Sequence, residues 1–279
     1  MDLFTPFQFA FMQNAFLICV LVAVPTAMMS CFLVLRGWAL MGDAVSHAVL
    51  PGIVLAYIAG LPLLLGAFAS GMACALATGY LAENSRVKRD TVMGVVFSGM
   101  FAFGIVLYAW VDTDVHLDHI LFGNILGVSS TDLWTAGVIS AAVSLGLALF
   151  WKDLLLLSFD PAQARASGLA VSFLHYGLLA ALALTIIATL TAAGLILAIG
   201  LVIAPGAIAF LVVRRFGAML MIAVAVNIVT TVLGVYLSFW IDSAPAPTII
   251  LVQAIVFTVA FIRQILTNRM AEQQVVTTD

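Results

Sequence analysis

The chain has 279 residues, 65% of them hydrophobic and only 8% charged, with a formal net charge of −3. A mean hydropathy of +1.23 excludes an ordinary soluble domain. Nothing in this composition calls for a nucleic-acid partner.

Apolar runs follow one another at roughly 10–35, 44–60, 61–82, 91–110, 132–151, 171–190, 193–213, 218–240 and 247–266. Only helices and closed barrels satisfy the backbone in lipid, and these runs are too long and too apolar for barrel strands. The expected fold class is all-α: a polytopic helical membrane protein of eight or nine segments. It forms one domain over 1–266, with a cytoplasmic tail at 267–279 whose end, "EQQVVTTD", reads as loose. The first run lacks a basic leader and is too long for a signal peptide. Cys19, Cys31 and Cys74 all fall in apolar runs without the spacing of a disulfide framework or zinc site, and read as small packing residues.

The basic residues are Arg36, Arg86, Lys88, Arg89, Lys152, Arg165, Arg214, Arg215, Arg263 and Arg269. With nine crossings and the N-terminus outside, all ten fall on the cytoplasmic side, as the positive-inside rule requires. The other face carries Asp2, Asp112, Asp114, Asp118, Asp132 and Asp242 and no lysine or arginine. Such a face favours the approach of cations. It also fits the plain reading that translocated loops avoid basic residues.

The stretch "GDAVSHAVLPG", Gly42 to Gly52, puts an aspartate and a histidine inside the second apolar run. Asp43 and His47 are four residues apart, so a helix presents them on one face with Ser46 beside them. A charged Asp near a membrane helix centre costs about 2.5–3.5 kcal/mol unless a partner or cavity receives it. Pro51 has no N–H for the carbonyl four residues back, which belongs to His47. One segment thus offers a carboxylate, an imidazole and a freed backbone oxygen. Oxygen and nitrogen together suit Mn²⁺, Fe²⁺ or Zn²⁺, and the lack of nearby thiolate argues against Cu⁺. The structural alternative is that Asp43 caps a helix and His47 is a hydrogen-bonded core residue.

Weaker candidates lie elsewhere. His116, Asp118 and His119 share an outer loop that can capture metal or simply be polar. Asp242 borders a span beside "SAPAPT", as a gate or a helix-end carboxylate. His175, without an acidic sequence neighbour, reads as structural. Pro205–Gly206 should bend a helix, lining a pathway or allowing close packing.

The chain has no G-x-x-x-x-G-K-[ST] loop and no H-E-x-x-H, so it carries neither P-loop ATP hydrolysis nor a zinc-protease site. Buried carboxylates are too scarce for a typical proton-driven carrier. The longest inner loop, "WKDLLLLSFDPAQARASG", mixes apolar and charged residues and can dock a short helix in a partner's groove. A remote alternative is an intramembrane enzyme with Asp43 and His47 as its acid/base pair.

The stretches "LRGWALMGDAVSHAVLPGIVLAY", "HILFGNILGVS", "SFDPAQARASGL" and "LVIAPGAIAFLVVRRF" together resemble the permease subunits of bacterial ABC importers for manganese, iron and zinc, the manganese/iron wording being the nearer. The resemblance implies a permease dimer, homo- or heteromeric, in the bacterial cytoplasmic (inner) membrane. It also implies cytoplasmic ABC ATPase subunits and an extracytoplasmic metal-binding protein as partners. The transported divalent metal is then the ligand, Mn²⁺ or Fe²⁺ with Zn²⁺ as the alternative, and no covalent cofactor is expected. Asp43 and His47 match the signature string and are placed on the metal path. Phe159, Asp160, Ala164 and Gly168, in a segment of about 152–169, match the part that couples to the ATPase. The family's eight-helix description implies that the first or second run is partly interfacial or re-entrant.

Overall fold

The structure, a computed structural model, describes residues 5–111 and 125–276, and these contain no strand. A 3-10 turn, Thr5–Gln8, leads into α1 (Ala10–Leu35), α2 (Met41–Ile58), α3 (Leu63–Glu83) and α4 (Arg89–Trp110). A second such turn, Ile125–Gly127, precedes α5 (Ser130–Phe159) and the short α6 (Pro161–Ala166). Helical hydrogen bonding then runs over Val171–Val212, but Gly194, at φ 79° and ψ 177°, breaks it in two. The arms are α7 (Val171–Thr191) and α8 (Leu197–Val212). Two further helices follow, α9 (Phe216–Ile241) and α10 (Pro245–Val276).

The break at Gly194 reverses the chain. A Cβ added to Gly42 would lie 2.8 Å from Val202 Cγ1 and 4.0 Å from Ile186 Cδ1, so both residues reach the same point on α2. One straight helix would separate those two by about 24 Å. The backbone at Gly194 is of a kind that glycine adopts freely and side chains resist. Eight helices among the described residues are long and apolar enough to cross a membrane, and α8 is a shorter apolar arm between two of them. The apolar run that falls short of a span is therefore the seventh, α8, whereas the eight-helix description pointed to the first or second. α1 and α2 are full helices of 26 and 18 residues.

Two helices outrun their apolar runs. α5 continues to Phe159 because Leu154 and Leu157 keep burying the same face beyond Lys152. α10 continues to Val276, so 272–276 is helical where a loose end was expected.

Lipid gives no hydrophobic force between helices, so close approach and hydrogen bonds must hold them. α1 and α8 show how. A Cβ on Gly206 would fall 2.5 Å from Ser30 Oγ. The Ser30 hydroxyl donates to the Ile203 carbonyl and accepts from the Gly206 N–H, both at 2.9 Å. The Pro205–Gly206 step thus serves close packing on α1.

Basic residues gather at one end of the bundle. Arg36 and Arg89 stand 4.9 and 4.7 Å over the Trp38 ring. Arg165 lines the same pocket, and Arg214 and Arg263 line another. Phe216, which follows Arg215, packs on both Phe32 and Trp151, and this holds α9 to the basic ends of α1 and α5. Aromatic rings mark the opposite end: Phe7 stacks on Phe16 at 4.9 Å, and Phe9 meets Phe239 at 5.9 Å. Such rings suit a membrane interface.

Candidate metal-binding site

α2 begins at the basic end, so its residue order sets depth. Asp43 is its third residue, where the helix N-terminus favours a carboxylate. His47 follows one turn further in. No side chain caps this helix, whose N-cap is Leu40. Asp43 instead turns towards His47: Asp43 Oδ1 and His47 Nε2 are 3.3 Å apart. The two side chains are 29% and 25% exposed, open enough for a small ion to reach them. His47 Nδ1 is buried and has no hydrogen-bond partner. Nε2, the nitrogen that faces Asp43, is therefore the one a metal would meet.

The neighbours of the pair hold α2 rigidly. Gly52 on α2 and Gly66 on α3 pack backbone to backbone, each where a Cβ would strike the other's carbonyl oxygen at about 2 Å. Gly104 on α4 leaves room for Pro51; a Cβ there would lie 2.8 Å from the Pro51 nitrogen. Ser70 Oγ donates to the Ala48 carbonyl at 2.6 Å, and Cys74 Sγ approaches the Ala44 carbonyl at 3.8 Å. Ser46 donates its hydroxyl to the Asp43 carbonyl at 2.8 Å, within the same turn of α2. Pro51, inside α2, leaves the His47 carbonyl without its usual helical donor.

Phe97 and Phe101 form one wall. Their ring centroids lie 5.8 and 5.1 Å from the imidazole. Sequence reading did not single them out, although two aromatics four residues apart on a membrane helix are the pattern that makes such a wall. They fix the ring plane and lower the local polarity, which strengthens any charge–ligand interaction beside them.

Chemically, the pair can bind a cation through an oxygen and a nitrogen. Adjacent ligands at right angles around an ion, with bonds of about 2.1 Å, stand about 3 Å apart. The observed separation is close to that, so a metal can replace the contact between Asp43 and His47 with little movement. No group of three or more His, Cys, Asp or Glu able to hold a metal occurs among the described residues. The pair is therefore part of a coordination shell.

The other candidates do not join it. Asp242 sits exposed at the end of α9, its backbone left-handed at φ 54°, as the helix C-cap. Asp132 is occupied by a capping box with Ser129 at the start of α5. His116, Asp118 and His119 lie outside the described residues. His175 packs edge-on to Trp38 at 5.9 Å, in a pocket that does contain an acid, Glu83.

The coupling candidates surround α6. Asp160 Oδ1 accepts from the Ala162 and Gln163 amides at 2.9 Å each, and Pro161 fills the first helical position. Gly168, at φ 78°, ends the turn; its amide bonds to Arg165 and that of Leu169 to Ala164. Ala164 is fully buried, whereas Phe159 is 70% exposed. Every residue of α6 but Ala164 is exposed, Ala162, Gln163 and Arg165 among them.

Residues 8–264 match the model of the ABC 3 transport family. The chain is 57% identical over 257 residues to the chelated iron transport system membrane protein YfeD of Yersinia pestis, covering 92% of this chain and 86% of that one. It is 43% identical to the manganese transport system membrane protein MntC of Halalkalibacterium halodurans, covering 91% and 87%. Among solved structures, PsaBC from Streptococcus pneumoniae in complex with Fab superposes with a TM-score of 0.82 at 37% identity, over 91% of this chain and 92% of that one. A putative metal-chelate type ABC transporter in an inward-facing conformation shares the fold at a TM-score of 0.68. The chain is a multi-pass inner-membrane permease and belongs to the ABC 3 transport family.

Proposed function

We propose that this permease carries Mn²⁺ or Fe²⁺ into the cytoplasm and that Asp43 and His47 are ligands on the path. The observation that carries the reading is the pair itself: a carboxylate and an imidazole 3.3 Å apart inside a membrane helix, each side chain about a quarter exposed. The metals named for its relatives, iron and manganese, support this cargo over zinc. The missing ligands come from a second permease chain or from other segments. Asp242, His116, Asp118 and His119 stay as outer candidates, where an extracytoplasmic binding protein would deliver the ion. The positive-inside rule supports a basic end towards the cytoplasm, the side on which an ABC ATPase would meet α6. Phe159 and the Ala162–Gln163 face make that contact; Asp160, Ala164 and Gly168 shape the turn that presents them.

The cargo is tested by radioactive manganese uptake in cells expressing the full importer, with iron and zinc as competitors. Iron should compete. Zinc should also inhibit, because it binds oxygen and nitrogen ligands more tightly than manganese does. Indifference to both metals would contradict the site. Removing the Asp160 cap should cost α6 about 1 kcal/mol, so Asp160→Ala should lower uptake per ATP hydrolysed; unchanged coupling would count against the docking role. For orientation, the three native cysteines are buried and silent. A Cys at Ser243 should react with an impermeant thiol reagent in intact cells and one at Ser85 should not; the reverse would invert the topology.

A further inference from the structure

Two cavities adjoin at the basic end, and neither belongs to the metal reading. The first is a polar pocket of about 410 Å³ walled by Arg36, Arg89 and Arg165, with Trp38, Glu83 and His175. Three guanidiniums thus share one carboxylate. Among the described residues none of the three arginines has a carboxylate in direct contact. Arg36 donates from Nε to Ser158 Oγ at 3.0 Å, a neutral partner. Burial, and the nearby Arg89, push the Arg36 guanidinium down to about 10, as expected where cations lack counter-charge.

The second cavity is an apolar groove of about 260 Å³ between α5 and α7. It runs along α5 from Ala142 to Leu154. That is about 18 Å of helix, close to the ~15 Å that one leaflet contributes to the hydrocarbon core. Its floor is open at Gly146 and Gly177, where an added Cβ would meet nothing within 4 Å. Leu154 and Leu174 line its end, one helical turn from Ser158 and Val171, which line the polar pocket.

We propose that pocket and groove form one site for an anionic phospholipid, the phosphate held by Arg36, Arg89 and Arg165 and an acyl chain lying between α5 and α7. Guanidinium groups match phosphate oxygens in geometry as well as charge. A zwitterionic lipid would leave the excess positive charge unanswered, and a free phosphate would leave the groove unfilled. The depth of the groove, one leaflet from the basic end inward, is what a lipid of that leaflet requires. The site does not depend on metal transport.

The test uses the full chain, purified in detergent, stripped of lipid, and offered phosphatidylglycerol or phosphatidylethanolamine with identical acyl chains. Retained lipid is counted by native mass spectrometry. Wild type should prefer phosphatidylglycerol. Arg89→Gln with Arg165→Gln should weaken that retention about thirtyfold and leave phosphatidylethanolamine unchanged. Arg36 is kept because its bond to Ser158 ties α1 to α5. Gly146→Leu should fill the groove and lower retention of both lipids; if the double arginine variant fails to fold, this variant carries the test. Equal retention of the two lipids by wild type overturns the proposal, as does a double variant that still prefers phosphatidylglycerol. Displacement by an equal concentration of inorganic phosphate would make the pocket a free-phosphate site. Loss of a dimer on Gly146→Leu, with lipid retention unchanged, would give the groove to a second copy of the chain. Either result also overturns the proposal.

Discussion

Asn227 on α9 and Asp43 on α2 are both polar side chains on membrane helices, but their surroundings differ in kind. Asn227 is fully buried and donates to the Ala23 carbonyl at 2.8 Å and to Thr26 Oγ1 at 3.0 Å. Its own oxygen accepts from Gln253 Nε2 at 2.7 Å. One neutral side chain thereby ties α9 to α1 and α10. The Asp43–His47 pair is ionisable, about a quarter exposed, and bonded only within its own helix. The first cluster is shut off from solvent and joins helices, with Gln253 Oε1 left without a partner. The second is open and joins nothing. In lipid a charged group is costly unless something answers it, and an ionisable pair that is reachable and bonded only to itself is where a cation can bind.

That contrast predicts opposite mutational behaviour. Asp43→Asn keeps the shape and removes the charge. Losing a partner behind a metal ligand costs about 10–100-fold, and loss of a ligand should exceed that, so uptake should fall by at least about 100-fold. Expression and thermal stability should stay near wild type. A variant that assembles with its ATPase and transports normally would make the pair as structural as Asn227. Asn227→Ala should do the reverse, lowering stability by about 1 kcal/mol in detergent, in line with hydrogen bonds between membrane helices. Uptake per correctly folded molecule should change less than twofold. A large transport loss in a stable Asn227→Ala protein would bring that cluster into the mechanism. The smallest effect is the coupling between Asn227→Ala and Gln253→Ala, about 0.6 kcal/mol in a double-mutant cycle. Zero coupling would mean that the 2.7 Å bond contributes no stability.

The sequence made the open cluster easier to see than the closed one. Asp43 and His47 stood out because charge inside an apolar run is rare and a four-residue spacing needs only a helix to align it. Asn227, Thr26 and Gln253 are dispersed over some 230 positions. Only folding brings them together, and no local pattern announces it. The same holds for the wall of Phe97 and Phe101, which needs α4 packed on α2. The apolar runs located the membrane helices because hydropathy over a span length is a local property. The helix ends were not legible, since α5 and α10 continue on packing beyond their apolar runs. The reversal at Gly194 left its trace as the gap between two runs at 190 and 193, but which crossing is short depends on φ and ψ at one glycine. Ala164 matched the coupling pattern in sequence; its side chain faces inward, and exposure is a tertiary property.

The central claim is that the imidazole of His47 binds the metal. Manganese is paramagnetic, so a nitrogen ligand can be detected directly by pulsed electron paramagnetic resonance on the Mn²⁺-loaded permease in complex with its ATPase. The account predicts imidazole nitrogen modulation in the wild type and its loss in His47→Gln, with His175→Gln as a control that keeps it. The same modulation in His47→Gln as in wild type, at equal manganese occupancy, would contradict it.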